Sequence, residues 1–173
     1  MNSGNIYLIG PMAAGKSTIG RVLAKRLGKT FYDTDHEIIK CTGVEISLIF
    51  ELEGEEGFRK RESEKLLELS KHQSSVVATG GGIVLNKENR SLLEDTGIVI
   101  YLACSVDQQL KRTRHDTKRP LLKVSNPKKK LQELMKHRAP LYESLANIVI
   151  NTERGSLRGA VNQILRYLKK AHD

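Results

Sequence analysis

The chain has 173 residues, 39% hydrophobic and 28% charged, with a formal net charge of +9. This length and composition predict a single soluble domain, residues 1–173, that buries its core without disulfides, and Cys41 and Cys104 show neither a pairing nor a zinc pattern. No stretch reaches the length of a membrane helix and no secretory signal is recognisable, so we expect a cytoplasmic protein with no membrane partner.

The first predicted unit is a strand, a phosphate loop and a helix. Residues 6–9 form an apolar run, Gly10 to Ser17 fit the pattern G-x-x-x-x-G-K-[ST], and residues 17–27 have helical periodicity ending at Gly28. The loop glycines let backbone N–H groups surround an anion, Lys16 reaches β- and γ-phosphates, and the Ser17 hydroxyl ligates Mg²⁺. Phosphates would then lie at a helix N-terminus, which favours negative charge. The alternative, a glycine turn with a chance lysine, does not explain the strand before it and the helix after it.

Two carboxylates follow the second predicted strand, residues 30–32. Asp33 and Asp35 are separated by one residue, at the mouth of the phosphate loop if the strands are parallel. One carboxylate can hold Mg²⁺ through water while the other accepts a proton from an attacking hydroxyl. The alternative is a solvated turn that caps the next helix, because Asp is a favoured cap residue.

Three glycines follow the third predicted strand, residues 75–78, after predicted helices at 35–41, 45–51 and 55–71. Phosphate-loop enzymes often end such a strand with a metal-binding acid, and none is present at this position. Gly80, Gly81 and Gly82 instead allow a backbone to approach a ligand closely and donate N–H groups to it. A flexible connector is the alternative.

The excess of positive charge comes from residues 111–138, which contain eleven Lys or Arg against two acidic residues, whereas basic and acidic residues balance in the rest of the chain. Arg119 lies there between predicted helices at 106–114 and 127–145, and a mobile loop would carry its guanidinium to a transferring phosphoryl group. Arg59 and Arg138 offer planar forks suited to a carboxylate. A basic nucleic-acid-binding protein is the alternative from another class, but three Phe, no Trp and no recognised motif favour a small polyanion.

The remaining pattern adds a helix at 87–95, strands at 98–102 and 147–150, and a helix at 157–170. The strands are continuously apolar, as expected when helices cover both faces of a sheet. Their alternation with helices predicts a parallel, doubly wound α/β sheet of five strands with right-handed crossovers. Ligands bind such sheets at the carboxyl ends of the strands, and each motif above falls just after a predicted strand or on a helix able to cover that edge.

Together these motifs resemble the shikimate kinase family, in family order from about residue 5 to residue 155. The matched segments are the phosphate loop, Asp33-Thr34-Asp35, Gly57-Phe58-Arg59 with Glu62, Thr79 to Gly82, Lys118 to Leu122 and Arg138 to Tyr142. The resemblance implies a three-layer fold like that of nucleoside monophosphate kinases, with a lid at about 112–125. It implies ATP-dependent phosphorylation of the shikimate 3-hydroxyl, in the pathway to chorismate and the aromatic amino acids. Shikimate and ATP would be the partners, without nucleic acid. The sequence shows no sign of a large apolar interface, so we expect a monomer.

The resemblance also implies a role for each matched residue. Catalytic roles would fall to Lys16, Asp35 and Arg119, and one Mg²⁺ ion would be held by Ser17 and Asp33. The nucleotide would contact Ala13, Ala14, Gly15, Lys16, Ser17, Thr18, Arg112 and Arg119. Shikimate would contact Asp35, Arg59, Gly80, Gly81, Gly82 and Arg138, with residues 33–62 as the substrate-binding region.

Two positions depart from the family pattern. Ala13 stands where the family usually has glycine, so we expect a negative φ at this residue. Arg154 lies near the loop where members often place an arginine beside adenine, but its register leaves it unassigned. A related kinase for gluconate or a nucleotide is the second candidate, and comparison of turnover on these acceptors would separate the two.

Overall fold

The structure is a computed structural model that describes residues 4–171, so both ends of the domain predicted at 1–173 lie outside the described residues. Five strands form one parallel sheet in the order β2-β3-β1-β4-β5. The predicted parallel five-stranded α/β sheet is therefore confirmed. The strands are β1 (Asn5–Ile9), β2 (Thr30–Asp33), β3 (Ser75–Ala78), β4 (Gly97–Ala103) and β5 (Ile148–Asn151).

Helices cover both faces of the sheet. Alternate strand residues point to opposite faces, so each face has its own core cluster. Ile6 and Leu8 of β1 pack in one core cluster, and Tyr7 and Ile9 pack in the other. The helices are α1 (Lys16–Leu27), α2 (Thr34–Thr42), α3 (Ile46–Ser70), α4 (Lys87–Thr96), α5 (Val106–Thr113), α6 (Pro127–Leu145) and α7 (Leu157–Lys170), with 3₁₀ turns at Ile83–Leu85 and Pro120–Leu122.

The first core cluster lies against α1 and α7, through Leu23 and Ile164 among others. The second lies against α3, α4 and α6, through Leu66, Leu93 and Tyr142. These two clusters make the three layers that the resemblance implied. Among residues 4–171, no helix is both long and apolar enough to cross a membrane.

The strand order places a crevice at the carboxyl end of β1. From β1 the chain moves to β2 at one edge and returns to β3, whereas the later strands lie on the other side of β1. The neighbouring strands β1 and β3 are therefore followed by connections that run to opposite sides, to β2 and to β4, and a crevice opens between the two loops. Ligands bind doubly wound sheets at such a switch point.

The predicted helices at 45–51 and 55–71 form the single element α3, broken at Gly54. Gly54 has φ 70° and ψ −178°, a conformation that glycine adopts far more readily than other residues. A Cβ there would meet nothing within 4 Å, so the requirement for glycine is conformational. The break separates the first part of α3 from the part that carries Arg59.

Candidate active site

A cleft of about 790 Å³ opens at the carboxyl end of the sheet. The structure brings all the predicted site residues together in its lining. They are Ala13, Ala14, Gly15, Lys16, Ser17, Thr18, Asp33, Asp35, Arg59, Gly80, Gly81, Gly82, Arg112, Arg119 and Arg138. We call residues 10–17 the phosphate end, and Asp35, Arg59, Glu62, Gly80 to Gly82 and Arg138 the arginine end.

The phosphate end is shaped by glycines and closed by its own lysine. Gly10 has φ 144°, and a Cβ there would lie 2.4 Å from the Leu102 carbonyl oxygen of β4, so a larger residue is excluded. Lys16 Nζ donates to the carbonyl oxygens of Gly10 at 2.8 Å and Pro11 at 2.7 Å. Burial, and next the nearby Arg119 guanidinium, lower the pKa of Lys16 to about 8. The lysine is therefore poised to exchange carbonyl oxygens for phosphate oxygens.

Ala13 has φ 62°, so the expectation of a negative φ is wrong. The turn of the loop requires the left-handed region at this position, which costs an alanine about 1 kcal/mol or more. Arg112 Nη1 donates to the Ala13 carbonyl oxygen at 2.8 Å. This hydrogen bond helps to hold the strained residue in place.

Asp33 performs the capping role that was the alternative to metal binding, and it also contacts the phosphate end. Its Oδ1 accepts the N–H groups of Asp35 at 3.0 Å and His36 at 3.2 Å and so caps α2. Its Oδ2 accepts a hydrogen bond from the Ser17 hydroxyl. A hydroxyl and a carboxylate oxygen in contact are the hard ligands that Mg²⁺ prefers. Within residues 4–171 no group of three or more His, Cys, Asp or Glu could hold a metal ion.

Buried charges dominate the arginine end. Arg59 Nη1 donates to Glu62 Oε1 at 2.8 Å, and Nη2 reaches Glu55 Oε1 at 3.2 Å. Glu62 is only 1% exposed, and burial raises its pKa despite the adjacent guanidinium. Burial, and next the negative charge of Asp33, raise the pKa of Asp35. Asp35 Oδ1 is buried and has no hydrogen-bond partner in the described chain, so it can accept a proton from a bound hydroxyl.

The three glycines are close-approach points for these charges. A Cβ on Gly80 would lie 2.4 Å from Glu62 Oε2, and one on Gly82 would lie 2.4 Å from the central guanidinium carbon of Arg59. At Gly81 the nearest side-chain atom would be Arg138 Nη1, at 3.3 Å. A flexible connector does not describe this segment, since each glycine leaves room for a specific charged group.

The same segment is fixed by hydroxyl groups on both sides. The Gly80 N–H donates to Thr34 Oγ1 at 3.0 Å, and the Tyr142 hydroxyl donates to the Gly81 carbonyl oxygen. Thr79 Oγ1 donates to the Leu8 carbonyl oxygen at 2.9 Å, which joins the segment to β1. The glycine segment is thus anchored to β1, α2 and α6.

Arg112 links the loops that follow the first and last strands in sequence. Besides Ala13, its guanidinium donates through Nη2 to the Thr152 carbonyl oxygen at 3.0 Å. Arg119 lies in the segment between α5 and the 3₁₀ turn, where its Nε donates to Asp116 Oδ2 at 3.0 Å. Arg154, left unassigned from the sequence, also lines the cleft.

Sequence reasoning missed the roles of Glu62, Thr34 and Tyr142. Glu62 lies three positions after Arg59 on a predicted helix, so helical spacing alone places the two side chains together. Thr34 Oγ1 accepts from an amide 46 positions away, and Tyr142 donates to a carbonyl 61 positions away. No local pattern signals contacts of that kind.

Among solved structures, two kinases of low sequence identity share the fold alone. A gluconokinase from Sinorhizobium meliloti is 14% identical with a TM-score of 0.57, over 99% of this chain and 97% of that chain. Deoxyadenosine kinase from M. mycoides with bound dATP is 16% identical with a TM-score of 0.65, over 95% of this chain and 99% of that chain.

Much stronger similarity leads to one family. The shikimate kinase of Thioalkalivibrio sulfidiphilus is 55% identical over 165 residues, 95% of this chain and 87% of that protein. That of Methylococcus capsulatus is 51% identical over 170 residues, 98% of this chain and 95% of that protein. The structure of shikimate kinase from Acinetobacter baumannii in complex with shikimate is 49% identical, with a TM-score of 0.94 over 97% of this chain and 94% of that chain. Since the shikimate kinase family model also matches residues 12–169, this chain belongs to the shikimate kinase family.

Proposed function

We propose that this protein transfers the γ-phosphoryl group of ATP to the 3-hydroxyl of shikimate, giving ADP and shikimate 3-phosphate. The reaction serves the pathway to chorismate and the aromatic amino acids. One observation carries the proposal: a single cleft holds a phosphate loop at one end and two arginines beside a buried carboxylate at the other. Such a cleft fits a polyphosphate and a small hydroxylated acid at the same time.

ATP binds at the phosphate end. The N–H groups of residues 13–18 and the N-terminus of α1 receive the phosphates, and Lys16 neutralises charge as the phosphoryl group transfers. Arg112, whose guanidinium donates to the Ala13 and Thr152 carbonyl oxygens, is the residue to which we assign contact with the nucleotide near its base. Arg119 is 37% exposed in the segment between α5 and α6, and closure of this lid brings its guanidinium to the phosphates and excludes water.

Shikimate binds at the arginine end. Arg59 and Arg138 receive its carboxylate, and the backbone of Gly80 to Gly82 lies against its hydroxyls. Arg138 is 5% exposed, so its charge is well shielded from solvent and attracts an anion strongly. With the carboxylate fixed, the 3-hydroxyl lies beside Asp35.

Asp35 orients the attacking hydroxyl and accepts its proton. Its raised pKa makes the carboxylate a stronger proton acceptor than an exposed aspartate. The buried Oδ1 supplies an acceptor that no group of the described chain occupies. Catalysis is then mostly positioning and charge neutralisation.

Magnesium fits at Ser17 and Asp33, whose side-chain oxygens are in contact. When bound with ATP, the ion would neutralise charge on the β- and γ-phosphates. The Ser17 hydroxyl on α1 would be one ligand, and the Asp33 carboxylate at the end of β2 positions that hydroxyl through their hydrogen bond. The partners are then small molecules, and we expect the protein to act as a monomer. Free Cys41 and Cys104 suit the reducing cytoplasm.

The test is ADP release with Mg²⁺ and ATP, measured side by side with shikimate, gluconate and nucleoside monophosphates as acceptors. We expect release that depends on shikimate, with the phosphate located on the 3-hydroxyl by NMR. Comparable rates with gluconate or a nucleotide would overturn the acceptor assignment. Arg138→Lys is the matching variant, because an ammonium cannot grip a carboxylate at two points, and its KM for shikimate should rise about 10-fold or more.

A further inference from the structure

Tyr142 joins the core of the protein to the arginine end of the cleft. Its side chain is fully buried, and its ring stacks on Tyr101 with centroids 5.0 Å apart. Its hydroxyl donates to the carbonyl oxygen of Gly81. On α6, Tyr142 follows Arg138 by four positions, so the two side chains lie on the same helix face.

The bond to Gly81 determines where the next N–H group points. The described chain contains no cis peptide, and in a trans peptide the carbonyl and the following N–H point in opposite directions. Because the Gly81 carbonyl accepts from the Tyr142 hydroxyl, the N–H of Gly82 is directed away from that hydroxyl. Gly81 and Gly82 both line the cleft, so the peptide that joins them is part of the cleft wall.

The chain around this contact has little rigidity of its own. Three consecutive glycines rotate more freely than any other residues. In α6, Pro140 lies between Arg138 and Tyr142, lacks an N–H and so removes one helical hydrogen bond. Both segments therefore depend on tertiary contacts for their geometry.

We propose that Tyr142 is a positioning residue for shikimate: its hydroxyl fixes the Gly81–Gly82 peptide and the distance from that peptide to the Arg138 guanidinium. A Cβ on Gly81 would lie 3.3 Å from Arg138 Nη1, so the two groups that face the acceptor are already adjacent. Burial raises the pKa of Tyr142 far above its usual range, and the hydroxyl remains a donor at every working pH. The inference rests on the proposed function, because shikimate is the ligand that the peptide and the arginine would share.

Tyr142→Phe tests the inference, since it removes one oxygen and keeps the ring. We expect the KM for shikimate to rise about 3- to 10-fold, the effect of losing one hydrogen bond, with kcat and the KM for ATP within about 2-fold of wild type. Tyr101→Phe is the matched control. It loses the same atom in the same core cluster, from a ring that stacks on Tyr142. For this control we expect all three kinetic constants to stay within about 2-fold of wild type.

A change in stability alone would change the KM for shikimate and the KM for ATP together. A rise in the KM for shikimate alone therefore supports the inference. An unchanged KM for shikimate in Tyr142→Phe, or an equal rise in both KM values, would overturn the inference. So would an equal effect from Tyr101→Phe. If wild type itself does not use shikimate, the proposed function fails instead, and the two failures are told apart by the wild-type assay.

NMR of the ligand-free protein tests the contact without turnover. The carbonyl carbon resonance of Gly81 should shift in Tyr142→Phe and stay in place in Tyr101→Phe. Should Tyr142→Phe fail to fold, the hydroxyl proton of Tyr142 in wild type decides. Protection of that proton from solvent exchange supports the bond, and rapid exchange contradicts it.

Discussion

The phosphate end and the arginine end of the cleft are built in different ways. Eight consecutive residues make the phosphate end, and its cation is held by the carbonyl groups of its own loop. The arginine end draws residues from α2, α3, the loop after β3 and α6, and the buried Glu62 carboxylate is paired there with Arg59. Loss of the lysine charge at the phosphate end should therefore remove chemistry and spare the fold, whereas loss of a buried charge at the arginine end should affect both.

Lys16→Met tests the first half of that contrast and should have the largest effect. Loss of a charge that neutralises the transferring phosphoryl group should lower kcat/KM about 1,000-fold. The melting temperature should stay level or rise, because burial disfavours the charged form of Lys16 in the free protein. Lys128→Met, which loses an exposed partner of Asp107, is the control and should retain full activity. A loss of less than 10-fold for Lys16→Met would contradict the role given to the lysine.

Glu62→Gln tests the second half. Arg59 would keep its exposed partner Glu55 and lose its buried ionic one, so the KM for shikimate should rise about 10-fold and the free energy of unfolding should fall by about 1–3 kcal/mol. Glu55→Gln is the matched change at the same guanidinium, and its effects should stay within about 2-fold and 0.5 kcal/mol. Steady-state kinetics and urea denaturation measure both quantities. Equal effects from the two variants would mean that burial of Glu62 is not what positions Arg59.

The use of ATP should depend on pH through the protonation of Lys16 at the phosphate end. Lys16 in the free protein loses its proton near pH 8, and ATP phosphates favour the protonated ammonium. Binding of ATP above pH 8 therefore requires proton uptake, and kcat/KM for ATP should fall by up to about 10-fold for each pH unit above 8. In Lys16→Arg the guanidinium stays charged, so any remaining activity should lack this limb. A wild-type profile for ATP that is flat to pH 9.5 would contradict the lowered pKa.

The smallest expected effect distinguishes two adjacent alanines in the phosphate loop. Ala13→Gly relieves a left-handed conformation but increases the freedom of the unfolded chain, so the free energy of unfolding should rise by about 0–1 kcal/mol. Ala14 is 1% exposed, and Ala14→Gly removes a buried methyl group and should cost about 1 kcal/mol or more. Urea denaturation compares the two. Destabilisation of equal size would show that φ at Ala13 carries little strain.

The two ends also differ in how far the sequence predicts them. The phosphate loop is a contiguous pattern between a buried strand and an amphipathic helix, so local spacing locates it and the sheet edge it occupies. The positions of Asp35, Arg59, Gly80 to Gly82 and Arg138 in one cleft follow from the strand order, because carboxyl ends of parallel strands meet at one edge. Resemblance to a family supplied their roles, which remain proposals.

Local patterns failed where tertiary contacts decide geometry. A single residue type does not reveal that Ala13 adopts φ 62°, because the turn of the loop and the bond from Arg112 impose it. Gly80 and Gly82 are required to be glycine because Glu62 and Arg59 lie against them and leave no room for a Cβ. These contacts join residues of different helices and strands, so the spacing of residues within one helix or strand does not predict them.

Arg112 holds main-chain oxygens, at Ala13 and at Thr152, on two loops that follow β1 and β5. Since every residue offers the same carbonyl group, side chains at positions 13 and 152 are free to vary during evolution without loosening this tie. An alanine at position 13 therefore leaves the tie intact despite its left-handed backbone. The tie also means that the ordering of both loops is completed on folding, which leaves less entropy to be lost when the nucleotide arrives.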